Sequence, residues 1–159
     1  MMLVYMFDGT FEGLLTAVFD AYSRKSFPEA IVREGAVLPM FCDECHEVIA
    51  DTGKSDRVWR GLGRKLSAAA LSATATSFLC ELPDYDITLF RYICRALNSP
   101  VSIETDFSDP DVVEVTKMVR RVRYEAKAVF TVSESCRRHI LCAYGAVVQC
   151  LVIGCRTLC

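Results

Sequence analysis

LVYMFDGTFEGLLTAVFDAY, residues 3–22, joins two patterns of different period. Residues 3–7 are a run of strand-forming apolar side chains, and Asp8-Gly9-Thr10 supplies a turn and a helix N-cap. After the turn, apolar side chains recur with the period of a helix that faces a core. This segment therefore predicts a strand followed directly by an amphipathic helix. The predicted buried stripe is Phe11, Leu14, Leu15, Val18, Phe19 and Tyr22.

Helical patterns cover most of the following chain. Residues 28–39 indicate a loop with irregular strand, and residues 46–50 indicate a second short strand. Helices are predicted from residue 54, over 68–82, over 87–97 and from residue 109 onward, with Asp51 or Thr52, Ser67 and Asp86 as capping residues. The last helix has a buried stripe of Val112, Val115, Val119, Val122 and Ala126. The sequence thus predicts an α+β fold, mostly helical with a small N-terminal sheet.

Composition limits the classes of function. The formal net charge is −2 and the pI is about 5.7, so a nucleic-acid site would have to be a local basic patch. The first residues carry no basic segment, and Asp8 interrupts their apolar run, so no signal peptide is expected. We therefore expect a cytoplasmic protein, in which the nine cysteines would be thiols or ligands rather than a disulfide framework.

Three short motifs suggest chemistry but lack the context that it needs. Residues 42–46, CDECH, match a haem-attachment pattern and half of a zinc site, yet no second Cys-x-x-Cys follows, so two incidental thiols are favoured. Residues 51–53, DTG, resemble one half of an aspartic protease site, but helix capping fits them better. A P-loop ending in Gly53-Lys54-Ser55 is rejected because Val48 stands where glycine is required. No catalytic residue, metal or cofactor is predicted, and neither His46 nor His139 belongs to a nucleophile or metal constellation.

The opposite face of the last predicted helix is basic. Several cations on one side of a helix can meet successive phosphates, a contact that is sensitive to salt and carries no base specificity. The alternative is an ordinary solvated face, which the sequence alone favours, and Glu114 and Glu125 flank the patch. The candidate nucleic-acid-binding residues are Lys117, Arg120, Arg121 and Arg123.

Five blocks in order carry a resemblance that covers about residues 2–126. VYMFDGTFEGLLTAVF (4–19), DRVWRGL (56–62), ELP (81–83), RYI (91–93) and DPDV (109–112) resemble blocks of a bacterial family of unknown function that is linked to DNA metabolism and DNA repair. The resemblance implies a companion of a radical-SAM protein that acts on DNA, and in some members a fusion ahead of a uracil-DNA glycosylase-like domain. It implies an accessory or nucleic-acid-binding module. The alternatives are an enzyme subunit acting on modified DNA bases and a protein-only scaffold.

The resemblance stops near Ala126, where the composition also changes. Residues 136–159 hold five of the nine cysteines and contain no lysine and no acidic residue. Back-translation of residues 137–155 and a shift of one base permit DGIFFAPMEPLYNVLSLVV, which resembles the next block of the family. We therefore interpret residues 1–126 as the N-terminal part of an incomplete domain and residues 127–159 as an out-of-frame tail. A membrane anchor over residues 139–155 is not predicted, because the segment is shorter than the roughly 20 residues of a span.

Overall fold

The protein has the predicted α+β fold, mostly helical with a small N-terminal sheet. The structure is a computed structural model that describes residues 1–80 and 84–132, with side chains as far as residue 126. The strands are β1 (Leu3–Phe7), β2 (Ala30–Arg33) and β3 (Glu44–Glu47). The helices are α1 (Phe11–Arg24), α2 (Thr52–Gly63), α3 (Ala68–Phe78), α4 (Tyr85–Asn98) and α5 (Pro110–Val132).

The sheet is parallel, and its strand order is β2-β1-β3. Tyr5 in the central strand lies opposite Ile31 on one side and His46 on the other. A central parallel strand is buried on both faces, which explains why β1 is an uninterrupted apolar run. The carboxyl ends of all three strands meet at one edge, where Phe7, Arg33 and Glu47 end them.

The helix starts follow the predicted capping residues. Thr10 Oγ1 accepts a hydrogen bond from the Gly13 amide at 2.9 Å, and Asp51 Oδ1 accepts one from the Lys54 amide at 2.9 Å. Ser67 caps α3 in the same way. Gly13 allows a close approach of the Asp8 carboxylate, because a Cβ added there would clash with Asp8 Oδ1 unless that side chain moved. These caps set the residues at which α1, α2 and α3 begin.

Three boundary predictions were wrong. Asp86 does not cap α4, which begins at Tyr85; its carboxylate instead accepts hydrogen bonds from Arg33 Nε at 2.8 Å and Nη2 at 3.0 Å. The second strand is Glu44–Glu47 rather than 46–50, because pairing with β1 sets its register. Helix α3 ends at Phe78 and not at residue 82. Within the predicted loop at 28–39, the structure contains strand β2.

One core joins the sheet to all five helices. The predicted stripe of α5 is buried at Val112, Val115 and Val119 and half-buried at Val122 and Ala126. The core side chains with the lowest exposure and the largest volume are Tyr5, Phe7, Phe90, Leu14, Leu62, Leu89 and Ile93. Burial of α5 on this core leaves its opposite face in solvent.

The predicted break near residue 126 lies at the limit of the described chain. The backbone of α5 continues to Val132, and residues 133–159 are outside the described part, as are residues 81–83 of the resemblance. The boundary between 1–126 and 127–159 and the out-of-frame tail therefore stay predictions. Along residues 1–80 and 84–132, no helix combines the length and the apolar character that a membrane crossing needs.

Candidate nucleic-acid interface

Helix α5 is held in place at its N-terminus. The Asp111 amide donates a 2.7 Å hydrogen bond to Asp109 Oδ1, which satisfies one of the free N–H groups of the first turn. The buried Asp109 carboxylate also forms an ion pair with Arg95 of α4, and Asp111 pairs with Arg91 at 3.2 Å. These contacts fix the rotation of α5 about its axis, and so fix which side chains face solvent.

All four predicted phosphate-contacting residues are exposed on α5, but they are not equivalent. Lys117 Nζ lies 2.6 Å from Glu114 Oε1, and Arg121 Nε lies 3.0 Å from Glu125 Oε1. The hydrogen bond that Arg121 Nε donates to Glu125 Oε1 raises the pKa of Arg121. These two cations are therefore already paired within the helix, as the flanking glutamates suggested.

Arg120 and Arg123 lie on the side of α5 that faces α3. Neither has an ion-pair partner within the described part of the chain. Both line a cleft of about 310 Å³ between the two helices. Its α3 wall consists of Ala69, Ala70 and Ala73, and its α5 wall includes Val112, Val115 and Val119. Alanine and valine side chains thus form the floor of the cleft, and two guanidinium groups without an ion-pair partner in the described part stand at its opening.

Glu104 closes one part of the cleft and is held by α3. Its Oε1 accepts from the Ser67 amide, and its Oε2 accepts from Ser67 Oγ at 2.7 Å. The backbone hydrogen bond from Ser67 lowers the pKa of Glu104 from its ordinary value of 4.5. The carboxylate is consequently held at the start of α3, stays ionised at neutral pH, and forms no ion pair with Arg120 or Arg123 in the described part.

We expect Glu104→Ala to lower the free energy of unfolding by about 1 kcal/mol at pH 7, because two hydrogen bonds to a charged group at a largely solvated site are lost. The folded-state pKa of Glu104 is lowered, so its stabilisation is fully present above 4.5 and disappears as the pH falls through the lowered value. Urea unfolding at pH 7 and pH 3 measures this difference. Glu34→Ala is the control, since no partner of that exposed side chain is present among the described residues; equal losses for both variants would contradict the assignment.

A second cavity lies at the carboxyl edge of the sheet, where ligands of open parallel sheets commonly bind. It measures about 320 Å³, and its charged lining consists of Asp8, Glu34 and Glu47. Asp8 Oδ1 already accepts hydrogen bonds from the Thr10 amide at 2.9 Å and from Thr10 Oγ1 at 2.8 Å. Three carboxylates make this edge unfavourable for phosphate.

A cluster of three polar side chains, Asp20 of α1, His46 of β3 and Lys54 of α2, was not predicted from the sequence. His46 Nε2 lies 3.3 Å from Asp20 Oδ2, and Lys54 Nζ lies 2.8 Å from Asp20 Oδ1. The His46 ring also packs edge-on against Tyr5, with 4.8 Å between the ring centroids. Asp20 and His46 are 26 residues apart, and only the parallel register of β1 and β3 brings them together.

The CDECH segment forms the start of β3. Cys45 is exposed, and partial desolvation together with the neighbouring Cys42 and Glu47 raises the pKa of its thiol. Within residues 1–80 and 84–132, no three His, Cys, Asp or Glu side chains are grouped so that they could hold a metal ion. Asp51 of the DTG segment serves as the N-cap of α2.

The described residues therefore form an α+β domain with a candidate phosphate-binding surface on α5. Comparisons with protein-family models, with curated proteins and with solved structures found nothing that matches this chain.

Proposed function

We propose that this protein is an accessory nucleic-acid-binding module of bacterial DNA metabolism or repair, which works in the cytoplasm with a radical-SAM partner. The observation that supports the proposal is the position of Arg120 and Arg123, which are exposed on an anchored helix and have no acidic partner in the described part. Side chains of this kind bind phosphate through charge-assisted, often bidentate hydrogen bonds.

The distribution of charge favours α5 over the carboxyl edge of the sheet. The protein is mildly acidic overall, and the cavity at the sheet edge is lined by carboxylates. A polyanion would be repelled there and attracted to the α5 face, where Lys117 and Arg121 contribute weaker, partly neutralised charge. This face is thus more favourable for DNA backbone contacts than the edge of the sheet.

The pathway rests on the ordered sequence blocks. The first block forms β1 and the greater part of α1, and the last forms the start of α5. A family resemblance that includes the helix bearing the arginines connects the basic face with DNA, and the family association supplies the radical-SAM partner.

The quadruple variant Lys117→Ala/Arg120→Ala/Arg121→Ala/Arg123→Ala is expected to lose the mobility shift that the wild-type chain gives with a DNA fragment at low salt. Loss of Arg120 and Arg123 takes away two phosphate contacts and their counterion release, and loss of Lys117 and Arg121 lowers the positive potential of the same face. Wild-type affinity for DNA in the quadruple variant, when that variant also unfolds at the wild-type temperature, would contradict the assignment of these four residues as the DNA-binding site.

The two alternative roles predict different results in the same assay with the radical-SAM partner present. A protein-only scaffold would bind the partner and shift no DNA. An enzyme subunit would, together with the partner, change a damaged-DNA substrate that neither protein changes alone.

A further inference from the structure

We infer that the cleft between α3 and α5 holds one nucleotide of single-stranded DNA, with its phosphate on Arg120 and Arg123 and its base between the two helices. This inference rests on the proposed function and names the form of DNA that the surface takes. The strand must be unpaired, because a base that is paired in a duplex could reach the basic face of α5 but could not enter the cleft.

The size and walls of the cleft fit a single flat group. Its volume of about 310 Å³ is at the small end of the range for ligand pockets. The α5 valines, Ala70 and Tyr92 of α4 form a buried apolar floor, and the part of the cleft that is open to a ligand lies over Ala69 and Ala73. The small side chains on α3 leave the space open, since a larger residue at Ala73 would enter it. Such a slot accepts the apolar faces of a base.

The polar groups of the cleft are largely satisfied within the protein. Thr116 Oγ1 donates a 2.9 Å hydrogen bond to the Val112 carbonyl, and both carboxylate oxygens of Glu104 accept from Ser67. Of the charged side chains that line the cleft, Arg120 and Arg123 have neither a hydrogen-bond nor an ion-pair partner in the described part, whereas Glu104 is hydrogen-bonded to Ser67. The cleft therefore presents unpaired positive charge beside an apolar slot, which matches a phosphate joined to a base.

Duplex DNA can place a phosphate on Arg120 and Arg123, but it does not present a free base to the cleft. In a duplex the bases are stacked and paired, and bringing one out costs a few kcal/mol. An unpaired strand offers its bases at little cost, and buried base contacts add to the electrostatic attraction. The same basic face would then bind both forms, whereas the cleft would favour the single strand.

The test compares the full chain with a fluorescent 12-mer of thymidylate and with an abasic 12-mer that carries the same phosphates. Wild type is expected to bind the thymidylate oligomer about tenfold more tightly, the contribution of one base contact. Ala73→Phe fills the slot and is expected to abolish this preference while it retains affinity for the abasic oligomer. Ala69→Phe, at a more exposed position of the same wall, serves where Ala73→Phe fails to fold.

Ala68→Phe is the matched control, because Ala68 is exposed on α3 and does not line the cleft. It is expected to bind as wild type does. Equal affinity of wild type for the two oligomers, or an unchanged preference in a folded Ala73→Phe or Ala69→Phe protein, would overturn the inference and leave the proposed function standing. Failure of wild type to bind either oligomer would overturn both.

Discussion

Leu14→Ala is expected to lower the free energy of unfolding by about 2–5 kcal/mol, which is the usual cost of emptying a buried leucine site. Leu14 is 0% exposed and belongs to the core that joins the sheet to the helices. It lies in the first turns of α1, directly after the cap that holds this helix to β1. Surrounding side chains can collapse little into the vacated space, because the sheet and α1 are fixed to each other. Urea unfolding followed by circular dichroism measures the effect.

Leu38→Ala provides the comparison for the same chemical change. Leu38 is 42% exposed and lies between β2 and β3, so its truncation is expected to change the unfolding free energy by less than about 1 kcal/mol. Similar losses in the two variants would mean that α1 does not pack as described.

Local signals explain why the N-terminal part of the fold was predictable. The apolar run of β1, the Thr10 cap and the stripe of α1 all follow from neighbouring residues, and the same holds for the caps at Asp51 and Ser67. The errors came from contacts between distant segments. From the sequence, Asp86 resembles an N-cap. In the structure it is the second residue of α4, and its carboxylate accepts a hydrogen bond from Arg33, 53 residues earlier in the chain.

The candidate site was predictable to the same extent. Helical spacing identifies the four cations on α5, and it also identifies the glutamates that pair with Lys117 and Arg121. It does not show that Arg120 and Arg123 face α3, because the position of α3 depends on the tertiary packing. The His46–Asp20 pair was missed for the same reason, since its two residues meet only through the sheet.

Arg120→Ala/Arg123→Ala is expected to weaken DNA binding at least about tenfold, and Lys117→Ala/Arg121→Ala less than about threefold. Each double variant removes two positive charges from one helix, so the long-range effect on the potential is similar. The first pair has no acidic partner in the described part and can offer its hydrogen bonds to phosphate. The second pair must first give up Glu114 and Glu125. Fluorescence anisotropy with one oligonucleotide at fixed salt compares the two variants.

Contact of Arg120 and Arg123 with the DNA backbone would make the salt dependence of binding depend on these two residues. The logarithm of the association constant falls with the logarithm of salt concentration by a slope that counts the phosphates contacted. We expect the slope for DNA binding to be smaller by about 2 in Arg120→Ala/Arg123→Ala. In Lys117→Ala/Arg121→Ala it should stay close to the wild-type slope. A slope that is unchanged in the first variant, or reduced equally in both, would contradict this contact with the backbone.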